Sequence, residues 1–289
     1  MQKSLFIFSA ILLGIFFNYG HNYTFLIRYT LMAMLFFAFL NTPVNPRQFS
    51  INHFKIVFVN ILLPVACFFI IHPFDQHLAI VAFVITAIPT AAAAPVIAEI
   101  MKIRVGILTI AVLLGTPLMA LVLPFMLAFF MDVSEDIPTA DLVLPIIILV
   151  FTPLMISQLI RQFSPRLTQK LLKFSFISFP LFLVNVFIAC GNASFFIQSN
   201  PNLDPSMILK IFLLVCLIGT LQFQIGRLIG KGDEPLAYSL AMGRKNTMIG
   251  LWLGITYFSP IVALGPIGYI IFHNIYNSFQ IWQREKNAL

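Results

Sequence analysis

Apolar stretches follow one another along this chain, each near the length that crosses a bilayer, with only short polar connections between them. A spanning helix needs about 20 mainly apolar residues. The stretches fall at roughly 3–19, 23–41, 53–71, 78–102, 104–131, 140–160, 169–191, 206–229, 235–257 and 259–282. In hydrocarbon every peptide group must find its partner within the protein, so each stretch is expected to be helical. Soluble domains carry about 25% charged residues, whereas this chain has 9%, against 60% hydrophobic. The expected fold is an all-α membrane protein of about ten transmembrane helices, a single polytopic domain over 1–289.

Charge orients the spans. With the N-terminus in the cytoplasm, 13 of the 17 Lys and Arg residues fall at cytoplasmic ends, the exceptions being Arg28, Lys210, Arg244 and Lys245. The opposite connections hold Asp75, Asp132, Glu135, Asp136, Asp141 and Asp204. An even number of spans returns the C-terminus to the cytoplasm beside Arg284 and Lys286. The net charge of +7 therefore reflects loop placement, and nucleic acid is not an expected partner. The lipid bilayer is. Cys67, Cys190 and Cys216 all lie in apolar runs, without disulfide or metal spacing.

Two spans are interrupted. Pro89-Thr90-Ala91-Ala92-Ala93-Ala94-Pro95 breaks the fourth, and Gly243-Arg244-Lys245-Asn246-Thr247 breaks the ninth. Pro removes a helix donor and clashes with the preceding turn. Each broken span is fourth in its half, and five spans per half place the halves in opposite orientation. That is the layout of two inverted five-helix repeats, about 1–131 and 140–282. Matched interruptions of this kind point to a secondary transporter's binding site. Half-helix amino ends facing each other would favour an anion.

The first break offers little but backbone and close approach, and its bland reading is a Pro kink with small residues for tight packing. The second carries Arg244 and Lys245. A cation at the bilayer centre costs about 2.5–3.5 kcal/mol on insertion scales. The bland reading is a helix end with both side chains snorkelling to the surface. Against it, Pro235 starts the span well before Arg244. Glu99 is read either as a surface pair with Lys102 or as a cross-bundle pair with Lys245 or Arg244. Asn185, Gln222 and Gln224 read as interhelical glue, and His273 as a packing residue. Asn60 stands out because it precedes Pro64. No nucleophile set, zinc motif or phosphate loop is present, so no enzyme is expected.

These residues resemble the bile acid:sodium symporter family. Gly243-Arg244-Lys245-Asn246-Thr247 is similar to its Gly-Met-Gln-Asn-Ser stretch. Phe258-Ser259-Pro260 and His273-Asn274-Ile275 are similar to its Phe-Ser-Pro and Trp-His-Asn-Ile segments, and Pro89 to Pro95 takes the place of Pro-Gly-Gly-Thr-Ala-Ser-Asn. The resemblance implies a core subdomain, holding two broken helices that cross, interleaved with a panel. It also implies alternating-access transport of an organic anion such as a bile acid, pantoate or an oxo acid, usually with sodium.

The family's sodium ligands are depleted here. Ala94 and Pro95 stand for a Ser-Asn pair, Ala241 for a Glu and Lys245 for a Gln, and the third-span Gln falls near Val59 and Asn60. The reading is a secondary carrier whose sodium sites are degraded, with the Lys245 ammonium standing where a sodium ion would sit. A proton is the other candidate coupling ion, and no organic cofactor is expected. Asn246 and Thr247, with backbone around Thr90 and Ala91, are expected to contact substrate. Lys245, Arg244, Glu99 and Asn60 form the expected cation site or charge substitute, and Pro89, Pro95 and Gly243 the helix breaks. A monomer or weak dimer in a bacterial inner membrane is expected. Rival readings are a sodium symporter with other ligands, an auxin-efflux-like carrier, and a non-transporting membrane sensor.

Overall fold

Where the sequence is apolar the backbone is helical. The structure, a computed structural model, describes residues 2–42, 49–130, 139–201 and 204–287. Of the loop charges, Arg47, Asp132, Glu135 and Asp136 lie outside the described residues, as do the side chains of Lys3, Asp141, Arg284 and Lys286. The helices are α1 (Gln2–Phe16), α2 (Leu26–Asn41), α3 (Ile51–Ile71), α4 (Gln76–Ala87), α5 (Ala94–Ile100), α6 (Val105–Phe130) and α7 (Thr139–Phe163). They continue with α8 (Pro165–Leu172), α9 (Ser178–Ser199), α10 (Ser206–Ile229), α11 (Pro235–Gly243), α12 (Thr247–Tyr257) and α13 (Leu264–Asn287). No strand is found among the described residues.

Five described helical segments are long and apolar enough to cross a membrane: Ile51–Ile71, Val105–Phe129, Val143–Phe163, Ser175–Ser199 and Ser206–Ile229. Leu5–Phe16, Leu26–Asn41, Gln76–Ala87 and Thr247–Tyr257 are shorter apolar helices. Their outer faces are greasy. Phe16, Phe58, Phe69, Phe125, Leu217 and Trp282 are all exposed, as an integral membrane protein requires of a surface that meets lipid.

Two expected boundaries move. The stretch at 169–191 resolves into the amphipathic α8, a 3-10 turn at Ser175–Ile177, and α9, which runs on to Ser199. Arg166, Lys170 and Lys173 explain the shift, because three cations in eight residues hold that segment out of the hydrocarbon. At the other end α13 begins at Leu264, and Phe258-Ser259-Pro260 belongs to the bend before it.

Close helix contacts rest on glycine. A Cβ at Gly14 of α1 would lie 2.6 Å from the Phe187 carbonyl of α9, and one at Gly226 of α10 would lie 2.3 Å from the Tyr238 carbonyl of α11. Small residues let membrane helices approach to backbone distance, where packing rather than hydrophobicity holds them. The polar residues expected to join helices do so. Thr30 donates to Asn185, Gln222 to Tyr269 and Gln224 to Tyr276. The last two tie α10 to α13.

Candidate functional site

Both interruptions are present, and they meet. α4 stops because Pro89 forces the residue before it out of helical space: Ile88 is extended, with φ −66° and ψ 133°. The chain is non-helical until Ala94. Pro95 does not break anything, contrary to expectation. It sits in the first turn of α5, where a missing N–H costs nothing. In the second interruption α11 ends at Gly243, and Arg244 is extended, with φ −88° and ψ 96°. Arg244 and Lys245 are therefore not neighbours on a helix. They occupy an open strand-like step before Asn246, which leads into α12.

The two steps pair as an isolated antiparallel bridge, Thr90 opposite Lys245. Ala91 N–H donates to the Arg244 carbonyl at 2.7 Å, and Asn246 N–H donates to the Pro89 carbonyl at 2.8 Å. Peptide groups freed by one break are satisfied by the other, as buried backbone must be. Side chains finish the accounting. The Thr90 hydroxyl donates to the Ala241 carbonyl at 2.7 Å, and the Tyr269 hydroxyl donates to the Gly243 carbonyl at 2.7 Å. Gly243 is required by packing, since a Cβ there would stand 2.3 Å from the Phe223 ring.

Lys245 is 1% exposed. Its ammonium donates to Asn60 Oδ1 at 2.7 Å and to the Thr86 carbonyl at 3.2 Å. Thr86 lies in the last turn of α4, so the cation faces the negative end of that helix. Asn60 is held by α3, and Pro64 one turn on lacks the N–H that would have bonded the Asn60 main-chain carbonyl. Two oxygens and a helix carboxyl end are the surroundings a small hard cation would seek. Here both oxygens already accept from Lys245, so they do not fit an added sodium ion at that point. No group of three His, Cys, Asp or Glu residues able to hold a metal occurs among the described residues.

Glu99 takes no part. It is exposed on α5, and the ion pairs among the described residues are Arg104–Asp233 and Lys210–Asp204. The cross-bundle pairing with Lys245 or Arg244 is thus corrected: the short α5 carries Glu99 away from the crossing. The four residues expected to contact substrate converge, but inward. Thr90 is wholly buried, Ala91 and Asn246 are 8% and 9% exposed, and Thr247 is 3% exposed. The Thr90 hydroxyl and the N–H groups of Ala91 and Asn246 are spent on the bridge itself.

Sequence reasoning missed the Thr86 carbonyl, which no side chain advertises, and misjudged His273, whose Nδ1 is buried without a partner among the described residues. It also passed over Asn277 and Gln280. The signal was present as spacing: Tyr269, His273, Asn277 and Gln280 recur on one helical face and are all buried.

No protein-family model matches the chain, and no curated protein matches it.

Proposed function

We propose that this chain is a secondary carrier for a small or amphipathic organic anion, working by alternating access without a sodium ion at the crossing. In this reading ten spans form two inverted repeats, 1–131 and 140–282, with α4–α5 as the fourth span and α11–α12 as the ninth. The protein sits in a bacterial inner membrane with both termini in the cytoplasm. The observation that carries the reading is Lys245, a buried ammonium with two oxygen acceptors and no carboxylate partner among the described residues. A membrane protein keeps an intramembrane cation for function rather than for stability.

The ammonium offsets the negative end of α4 without an ion having to bind there. A sodium ion could leave; a lysine cannot. The bridge ties the two broken spans, so they move as one body against the rest. A substrate carboxylate or sulfonate would then be attracted by fixed positive charge at Arg244 and Lys245.

The test is counterflow in proteoliposomes with labelled organic anions, in sodium and in sodium-free choline buffer. Uptake unchanged without sodium is the expected result. Uptake abolished by sodium removal refutes the charge substitution. Binding with no counterflow for any anion favours a membrane sensor.

A further inference from the structure

His273, Asn277 and Gln280 are 5%, 3% and 5% exposed. Yet His273 Nδ1, both amide atoms of Asn277 and Gln280 Oε1 meet no hydrogen-bonding partner among the described residues. Leaving such an atom unsatisfied costs about 1–3 kcal/mol. Four on one helix face would be costly unless something other than the protein meets them, which for a buried polar row means water or a ligand.

The row has an inner end. The Tyr269 hydroxyl holds α13 against Gly243, and the His273 ring stands edge-on to Tyr269 with centroids 5.8 Å apart. Arg244 follows Gly243, and its own Nε is buried without a partner among the described residues. Gln222 Oε1, beside Tyr269, is in the same condition. No carboxylate pairs with Arg244 among the described residues. A solute anion can supply the counter-charge that the described residues do not.

We propose that the face of α13 packed shut in this structure opens during the transport cycle into one wall of a water-filled route, running from Gln280 past Asn277 and His273 to Arg244, taken by a solute bearing a carboxylate or sulfonate. Arg244 selects its sign, and the amides of Asn277 and Gln280 replace part of its hydration on the way. This rests on the carrier reading but concerns a path apart from the Lys245 site. Ile275, 60% exposed on the opposite face of the same helix, marks the lipid side.

The experiment is cysteine accessibility in proteoliposomes. Cys67, Cys190 and Cys216 are replaced by Ala, and Asn277→Cys, Gln280→Cys or Ile275→Cys is added singly. Variants that keep a cooperative thermal transition are treated with sulfonatoethyl methanethiosulfonate and, separately, with its trimethylammonium analogue. Positions 277 and 280 should react and 275 should not. The anionic reagent should react about tenfold faster than the cationic one at position 277, because a single-sign cleft concentrates counter-ions. Arg244→Gln should remove that preference. Folded variants unreactive at both 277 and 280, or a faster cationic reagent, overturn the route. Unreactive cysteines in a protein that still exchanges organic anions refute the route alone. Reactive cysteines without counterflow refute the carrier reading alone.

Discussion

Replacing Lys245 with Met should abolish transport while costing less stability than the companion change Asn60→Leu, and the comparison tells why. In the native protein the ammonium makes two hydrogen bonds, to Asn60 Oδ1 and to the Thr86 carbonyl. Hydrogen bonds from a charged donor contribute about 1.5–3 kcal/mol each. Against them stands the cost of burying the ammonium, several kcal/mol even after relaxation. The two nearly cancel. Lys245→Met removes both and strands Asn60 Oδ1, for a net loss of about 1–3 kcal/mol. Asn60→Leu does the reverse and leaves a buried charge short of its main acceptor, which costs about 3–5 kcal/mol. The double variant strands neither side chain and should return to native stability or exceed it. Melting of the detergent-solubilised protein reads the series, at about 2–4 °C per kcal/mol for a chain approaching this size. The expected order is double at or above native, then Lys245→Met, then Asn60→Leu, with uptake lost in all three. A double variant no more stable than Asn60→Leu would refute the reasoning, because the pair would then be a net source of stability rather than a charge kept for transport.

Asn246→Ala should abolish uptake at unchanged expression, since its side chain stands at the crossing while its backbone does the bridging; normal uptake would remove it from the site. Thr90→Val keeps the shape but leaves the Ala241 carbonyl without its hydroxyl donor, so melting should fall by the equivalent of about 1–3 kcal/mol. Gly226→Ala pushes a Cβ into the Tyr238 carbonyl and should cost about 1–3 kcal/mol or more by overpacking, whereas Gly115→Ala, where a Cβ meets nothing within 4 Å, should be neutral or stabilising. Ligand-induced thermal stabilisation across a series of organic anions should be equal with and without sodium.

Much of this was legible in the residues. Apolar length gave the helical class, and Pro89 and Gly243 marked two real interruptions, because local backbone chemistry reports directly on where a helix must stop. The distance from Pro235 to Arg244 argued against a surface helix end, and Lys245 is buried. The pairing of the breaks was not legible. It is a backbone event between residues more than 150 apart in the chain, and neither Thr90 nor Lys245 signals its partner by side-chain type. The choice between the two readings of Glu99 was not legible for a related reason: its exposure depends on α5 being one short helix of seven residues, which apolar composition alone does not reveal. Pro95 was misassigned because proline both stops helices and starts them, and only the position of the preceding stop decides which.

The mutual bridge also has a consequence for biogenesis. Thr90 is made long before Ala241, the residue that will take its hydroxyl, 151 positions later. At about 5–20 residues per second the wait is roughly 8–30 s. Throughout it the first opened helix sits in or beside the membrane with carbonyl and amide groups that nothing in the emerging chain can yet cap. Either water stays with that segment or the insertion machinery shelters it until the C-terminal half arrives. Chains truncated before Pro235 should therefore be prone to quality-control proteolysis, even though every spanning helix of their own half is complete.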